Sequence, residues 1–286
     1  MATPSNARII VGLIGAGIGG SKSPALHEEE GRALGLQYRY QLLDFNDLGL
    51  DGGALADVLK AMKLLGYAGC NVTVPHKLSV MPLLDVVSED AQVIQAVNTV
   101  VFKDGKAIGH NTDWIGFAES LKLQCPGVPL SEVALFGAGG AGAAVAYAMV
   151  KMGTKRLYIV DEQSARAADL AARLNALGMG ECVPVTDGAA VMTNVDGVIN
   201  ATPLGMQGVP GSAVPLQHLR PAMWVADVVY FPLETELILA AKSAGCRYAT
   251  GGDMVVLQAA RGFELFTGVK PDAARMGRHL QVMLGR

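Results

Sequence analysis

The run EVALFGAGGAGAAVAYAMVKM, residues 132–152, narrows the possible folds more than any other part of the chain. Its residues 133–150 carry no charge over 18 positions, the lower limit for a membrane span. Four glycines within six positions interrupt that span, however. Strand-like VALF precedes them and an alanine-rich helical pattern follows, so the run reads as a buried strand, a tight turn and a helix, and no membrane association is expected.

Apolar runs alternate with helical patterns through the rest of the chain, which predicts βαβ units and a mainly parallel sheet, an α/β fold. In the first half RIIVGLIG, YRYQLLDF and CNVTV read as strands, PALHEEEGRAL and LADVLKAMKLLG as helices. Two shorter helical stretches are expected at 76–87 and 88–97. TVVFK and KAIGH then flank Asp104-Gly105, a pair suited to a two-residue hairpin turn. After a helix at 114–123 the pattern restarts. EVALF, RLYIVD, CVPV, GVINAT and WVADVVY read as strands, and AAVAYAMVKM, SARAADLAARLNAL and ELILAAKSAG as helices. Residues 254–266 and 273–284 are helical with no strand to follow, an ending that packs back onto an earlier domain. At about 150 residues per domain, 286 residues make roughly two.

Composition removes several classes. With 51% hydrophobic and 17% charged residues the chain buries a large core. Its 23 basic against 26 acidic residues lack the surplus that a nucleic-acid backbone calls for. Cys70, Cys125, Cys182 and Cys246 are at least 125 − 70 = 55 residues apart, without CxxC, so neither a disulfide framework nor a metal site is expected. The opening MATPSNARIIVG has no charged region followed by a long apolar stretch, and a cytoplasmic protein with reduced thiols is expected.

The pattern GxGxxG occurs twice, at Gly15, Gly17, Gly20 and at Gly137, Gly139, Gly142. At a strand-to-helix turn such glycines let the backbone approach a pyrophosphate, while the helix N-terminus supplies N–H donors. The second copy runs directly into its helix. Asp161 ends the next strand, 161 − 137 = 24 residues after the first glycine, close to the spacing at which a carboxylate meets the adenosine ribose. That carboxylate accepts from the 2′-hydroxyl of NAD and repels the 2′-phosphate of NADP, so NAD is expected, although Arg166 one turn on would soften the discrimination. After Gly20 comes Ser-Lys-Ser-Pro, which predicts Ser23 as N-cap, Pro24 at the first helical position, and a turn presenting hydroxyls.

Polar residues gather at strand ends and loops of the first half, where open α/β sheets bind ligands: Thr73 and Lys77 in NVTVPHK, Asn98 in AVNT, and Asn111, Thr112 and Asp113 in GHNTD. Lys77 follows an uncharged strand, and partial desolvation of its amine would make it a usable base, with Asp113 to hold it. The plainer alternatives are a solvent-facing Lys77 and an Asp113 that caps the helix at Trp114. His27, His76 and His110 have no partner at defined spacing, and Met206 and Met254 suit core filling.

SKSPALHE, NVTVPHK, AVNTV, GHNTDWIGF, GAGGAG, NATPLGM and QAARGFELFTG, in this order, resemble the shikimate dehydrogenase family, nearest its NAD-preferring quinate/shikimate dehydrogenases. The resemblance runs from about Arg8 to about Met276. It implies a substrate domain at 1–112, completed by helices at 253–286, a Rossmann-like NAD-binding domain at 113–252, and an active site in the cleft between them. It implies reversible oxidation of the C3 hydroxyl of shikimate, with quinate as a candidate second substrate. Lys77 and Asp113 are the implied catalytic pair. Ser21 and Ser23 would hold the carboxylate of a small hydroxylated cyclic acid, Thr73, Asn98 and Gln258 its ring hydroxyls, with Tyr230 near the carboxylate. Gly137 shapes the turn whose Ala138, Gly139, Gly140 and Ala141 would meet the pyrophosphate, Asp161 the ribose, and Thr202, Pro203, Leu204, Val228, Gly251 and Met254 the rest of the dinucleotide.

NADP-dependent members usually carry an Asn-Arg-Thr type segment where this chain has Asp161-Glu162-Gln163. Ser23 stands where quinate-oxidising relatives carry Thr. Two other readings stay open on sequence: a two-domain dehydrogenase of the methylene-tetrahydrofolate type, and a non-catalytic metabolite sensor on the same fold. Monomer and homodimer are equally compatible with the sequence.

Overall fold

β1 (Arg8–Gly15), rich in Ile, Val and Leu, lies inside a six-stranded sheet because both of its faces find apolar cover. The computed structural model describes residues 8–285. They divide into two units: one ends at Thr112 and resumes at Val256, and the other spans Asp113–Val255.

After β1 the first unit contains α1 (Ser23–Ala33), β2 (Gln37–Asp44), α2 (Leu55–Leu64), β3 (Gly69–Val72), β4 (Val86–Val87), α3 (Glu89–Ile94), β5 (Thr99–Lys103) and β6 (Lys106–His110). The strand order is β2-β1-β3-β5-β6-β4. β1 pairs in parallel with β2 and β3, and β5 runs antiparallel to both β3 and β6. Asp104 (φ 49°) and Gly105 (φ 73°) make the expected hairpin turn between β5 and β6. One apolar cluster joins Ile14, Cys70, Val72 and Val100 to Leu55, Leu59 and Met62 of α2.

Three sequence expectations need correction here. Residues 76–87 form no α-helix: turns cover 74–80, a 3₁₀ turn covers Met81–Leu83, and β4 follows. Pro82 removes a donor that a continuing helix needs, and the sheet edge captures the chain through Asp85 N to Ala107 O (3.0 Å) and Ser88 N to Gly109 O (2.9 Å). The helix expected over 88–97 is confined to α3 and ends where Gln95 turns left-handed at φ 58°. Ser23 is no N-cap; Lys22 holds that position and Ser23 is the first residue of α1, its amide donating to Ser21 Oγ at 3.3 Å.

The second unit contains α4 (Asp113–Gln124), β7 (Glu132–Phe136), α5 (Gly140–Lys151), β8 (Arg156–Val160), α6 (Ser164–Asn175), β9 (Glu181–Val185), α7 (Gly188–Val191), β10 (Gly197–Asn200), β11 (Trp224–Asp227), α8 (Glu236–Ser243) and β12 (Arg247–Ala249). Its six strands are all parallel in the order β12-β11-β10-β7-β8-β9. Numbered from β7, that is the doubly wound 3-2-1-4-5-6 arrangement of the Rossmann fold, read from the opposite edge. β12 and the single turn α7 are too short to stand out in sequence.

The chain ends in α9 (Gly251–Thr267), within which the division between the units falls, and α10 (Ala273–Met283). Phe263 and Phe266 of α9 pack with Ile9, Val11, Tyr38 and Tyr40 on the first sheet. His27 of α1 sits in this layer, its Nδ1 3.0 Å from the Tyr38 hydroxyl, and burial pushes its pKa down to about 3, so it is a neutral packing residue. α10 is tied to α1 through a buried Glu30 carboxylate, which receives Arg275 Nε (2.8 Å), Arg275 Nη2 (2.7 Å) and Asp272 N (2.7 Å). Among the described residues no helix is long and apolar enough to cross a membrane, and no cluster of His, Cys, Asp and Glu is arranged for a metal.

Candidate active site

In the second unit β7 and β10 are neighbours whose connections leave toward opposite edges of the sheet, and the crevice above their carboxyl ends is where such sheets bind ligands. The turn from β7 to α5 fills that position. Gly137 adopts φ +104°, and a Cβ there would lie 2.8 Å from the backbone of Ala201. A Cβ on Gly142 would lie 1.9 Å from Gly137 O, so only glycine lets α5 begin this close to the strand. Gly139 is the N-cap of α5, no side chain caps the helix, and a Cβ at Gly139 would meet nothing within 4 Å. The first-turn amides therefore face open space with a helix dipole behind them, the donor set that a pyrophosphate requires.

Asp161 follows β8 and braces this turn. Its Oδ2 accepts Ala138 N at 2.7 Å and its Oδ1 accepts Gln163 N at 2.9 Å. Each oxygen keeps a second lone pair, enough for a ribose hydroxyl. Thr202, Pro203 and Leu204 follow β10, Val228 follows β11 and Gly251 follows β12, all at the same edge. A Cβ on Gly251 would lie 2.4 Å from Val228 O, which fixes the approach of α9 to that strand end. Met254 is buried one turn further along α9. Tyr230 lies just beyond Val228 and is exposed.

Sequence alone does not single out the residues that hold this edge together. Asn200, the last residue of β10, accepts the amide and the hydroxyl of Thr202 (3.1 and 2.7 Å) and donates to Leu204 O (3.1 Å). Asp227, the last residue of β11, accepts Asn200 Nδ2 (2.9 Å), Val229 N (3.0 Å) and the Thr235 hydroxyl (2.6 Å). Burial pushes the Asp227 carboxyl above its ordinary value, against the opposing pull of these three donors. A lone acid ending an apolar strand is the signal that would have pointed to it.

The first unit closes its own GxGxxG to phosphate. Asp44, at the end of β2, accepts Gly17 N (2.9 Å), Ile18 N (2.6 Å) and Asn46 N (3.1 Å), so a carboxylate of the chain itself occupies the amides that a phosphate would use. Burial pushes the Asp44 carboxyl up, and these main-chain donors outweigh it and leave the group below the usual carboxylate value. The pinned turn leads to Ser21, whose Oγ accepts from Ser23 N and keeps its own proton to donate.

The sequence-predicted polar residues of this unit meet at one edge of its sheet. Thr73 follows β3, and its amide bonds Ile14 O at 2.9 Å. Lys77 is half-buried in the turn after it, where its carbonyl accepts Val97 N at 2.9 Å, next to Asn98. Asn98 accepts Thr112 N at 2.8 Å and donates to Thr112 Oγ1 at 3.0 Å, and the Thr112 hydroxyl stands 3.4 Å from Gln258 Oε1. Behind them Tyr40 donates to Asn71 Oδ1 (2.8 Å), and Asn71 Nδ2 donates to Thr99 Oγ1 (2.9 Å) and Asn98 O (3.1 Å). Asp113 and Tyr230 belong to the second unit. Asp113 is the buried first residue of α4, directly after Thr112.

Residues 13–100 match the family model of the shikimate dehydrogenase substrate binding domain. The shikimate dehydrogenase (NADP(+)) of Streptomyces avermitilis is 46% identical over 270 residues, covering 93% of each chain. The quinate/shikimate dehydrogenase (NAD(+)) of Corynebacterium efficiens is 44% identical, over 94% of this chain and 96% of its own. The solved structure of quinate dehydrogenase from Corynebacterium glutamicum in complex with NAD superposes with a TM-score of 0.91 at 42% identity, over 97% of this chain and 99% of that one. With relatives 42–46% identical matched along more than nine-tenths of its length, and a doubly wound sheet in its second unit, the chain belongs to the shikimate dehydrogenase family.

Proposed function

We propose that this protein is an NAD(P)-dependent oxidoreductase that interconverts the C3 hydroxyl of shikimate and the corresponding ketone, with NAD preferred and quinate as a second substrate to be tested. The observation that carries the reading is the open, uncapped amide cradle above β7 and β10, on a chain whose other unit hydrogen-bonds Asn98 to Thr112 beside the turn that carries Lys77.

The first unit is the substrate half in this reading. Ser21 and Ser23 offer hydroxyl donors to the carboxylate, which makes recognition depend on geometry more than on charge. Thr73, Asn98 and Gln258 take the ring hydroxyls. Lys77 accepts the proton of the hydroxyl being oxidised, Asp113 holds the amine in place, and in the reverse direction the ammonium returns the proton to the oxygen. Tyr230 lies toward the carboxylate end. The second unit is the cofactor half: Gly137, Ala138, Gly139, Gly140 and Ala141 cradle the pyrophosphate, Asp161 the adenosine ribose, and Thr202, Pro203, Leu204, Val228, Gly251 and Met254 the remainder. When bound, the dinucleotide supplies the hydride acceptor, and the protein supplies orientation and proton transfer.

The named relatives divide between NAD and NADP, so the preference for NAD rests on Asp161. A 2′-phosphate beside this carboxylate meets like charge at close range. Reduced-nucleotide formation followed by absorbance, with shikimate and then quinate against NAD and NADP, tests the whole reading; no turnover with either acid sinks it. Asp161→Asn keeps an acceptor for Ala138 N and removes the charge. It is expected to lower the NAD over NADP ratio of kcat/KM by about tenfold or more. An unchanged ratio would remove Asp161 from cofactor choice.

A further inference from the structure

Asp227 is a buried acid that the proposed chemistry leaves unused, yet one carboxylate reaches three segments. Its Oδ1 takes Asn200 Nδ2 and Val229 N, and its Oδ2 takes the Thr235 hydroxyl. Through Asn200 it sets the 202–204 turn, since the same Asn side chain holds Thr202 N, the Thr202 hydroxyl and Leu204 O. Through Val229 N it sets the bend after β11. Thr235 in turn caps α8 by accepting Ile238 N at 3.3 Å. Asp227 is only 3% exposed, and these partners take three of its roughly four acceptor directions, so it acts on a ligand through the loops it holds.

Those loops lie on one side of the sheet. A doubly wound sheet consists of two mononucleotide-binding halves. β7, β8 and β9 form the half whose Asp161 would take the adenosine ribose in the reading above, whereas β10, β11 and β12 form the other. We propose that Asp227 is the positioning residue of the nicotinamide half: through Asn200, Val229 and Thr235 it holds the two strand-end loops in the shape that receives the nicotinamide nucleotide. This rests on the dinucleotide reading above.

The test compares binding of NADH and of ADP, by calorimetry, to the intact protein and to Asp227→Asn. The amide presents N–H groups where the carboxylate accepted, leaving donors of Asn200, Val229 or Thr235 unpaired. NADH is expected to bind about tenfold more weakly while the Kd for ADP, which engages only the adenosine half, stays within about twofold. Should Asp227→Asn fail to fold, Thr235→Val removes one donor to Asp227 together with the acceptor for Ile238 N, and a selective loss of about threefold for NADH is expected. Equal weakening of both ligands, or no weakening of either, overturns the proposal. If the unaltered protein binds neither NADH nor ADP, the dinucleotide reading itself falls and the role of Asp227 falls with it.

Discussion

Lys77→Ala is expected to lower kcat for shikimate oxidation by about 10² to 10⁴, the usual contribution of a positioned acid-base group, with KM for shikimate changed only a few-fold. The substitution is well suited to a clean reading. Lys77 is held in its turn by its main chain, the carbonyl accepting Val97 N at 2.9 Å, and that bond survives any change of side chain. The neighbouring Asn98, proposed to take a ring hydroxyl, is likewise anchored independently to Thr112, and Asn71 behind it to Thr99. Initial-rate kinetics in both directions are the measurement. A kcat retained within about threefold would mean that the amine does not carry the proton.

Gly142→Ala has the other large expected effect, on the cofactor side. Its added Cβ would stand 1.9 Å from Gly137 O and 2.7 Å from Gly137 C, and backbone cannot swing aside as a flexible side chain would. Either α5 withdraws or the turn opens, and both misplace the amides at residues 139–141. KM for the dinucleotide is expected to rise more than about tenfold, together with a stability loss of about 1–3 kcal/mol typical of overpacking. Shikimate binding to the cofactor-free protein, measured by calorimetry, should be unchanged. A dinucleotide KM within about twofold of the original would show that the turn is not the phosphate cradle.

Sequence made the strand-and-helix alternation, the Asp104-Gly105 hairpin and the start of α5 inside the glycine run legible, because each is written in local periodicity or in backbone demands of glycine. It misjudged residues 76–87 because helical spacing of apolar side chains says nothing about a neighbouring strand ready to take the chain. Asp85 N and Ser88 N were drawn to β6 instead. Ser23 was misplaced by one residue because Ser21, two positions earlier, also offers a hydroxyl and takes the amide first. The roles of Tyr40, Asn71 and Asn200, and the partners of Asp227, stayed invisible for a different reason. Each gains its meaning from partners on other strands, such as the 2.9 Å bond between Asn200 and Asp227, and pairings across a sheet leave no trace in local spacing.

The carboxylate of Asp44 makes the presentation of Ser21 and Ser23 sensitive to acid. Its folded-state pKa lies below the ordinary value because main-chain donors outweigh the effect of burial, so its contribution is complete above the usual carboxylate pKa and fades as pH falls through the lower folded one. Protonation deprives the Gly17 and Ile18 amides of their charged acceptor, and hydrogen exchange at those two amides should quicken at low pH before the interior of β1 loosens. If both exchange only together with β1, that loop opens with the whole strand and has no separate acid response.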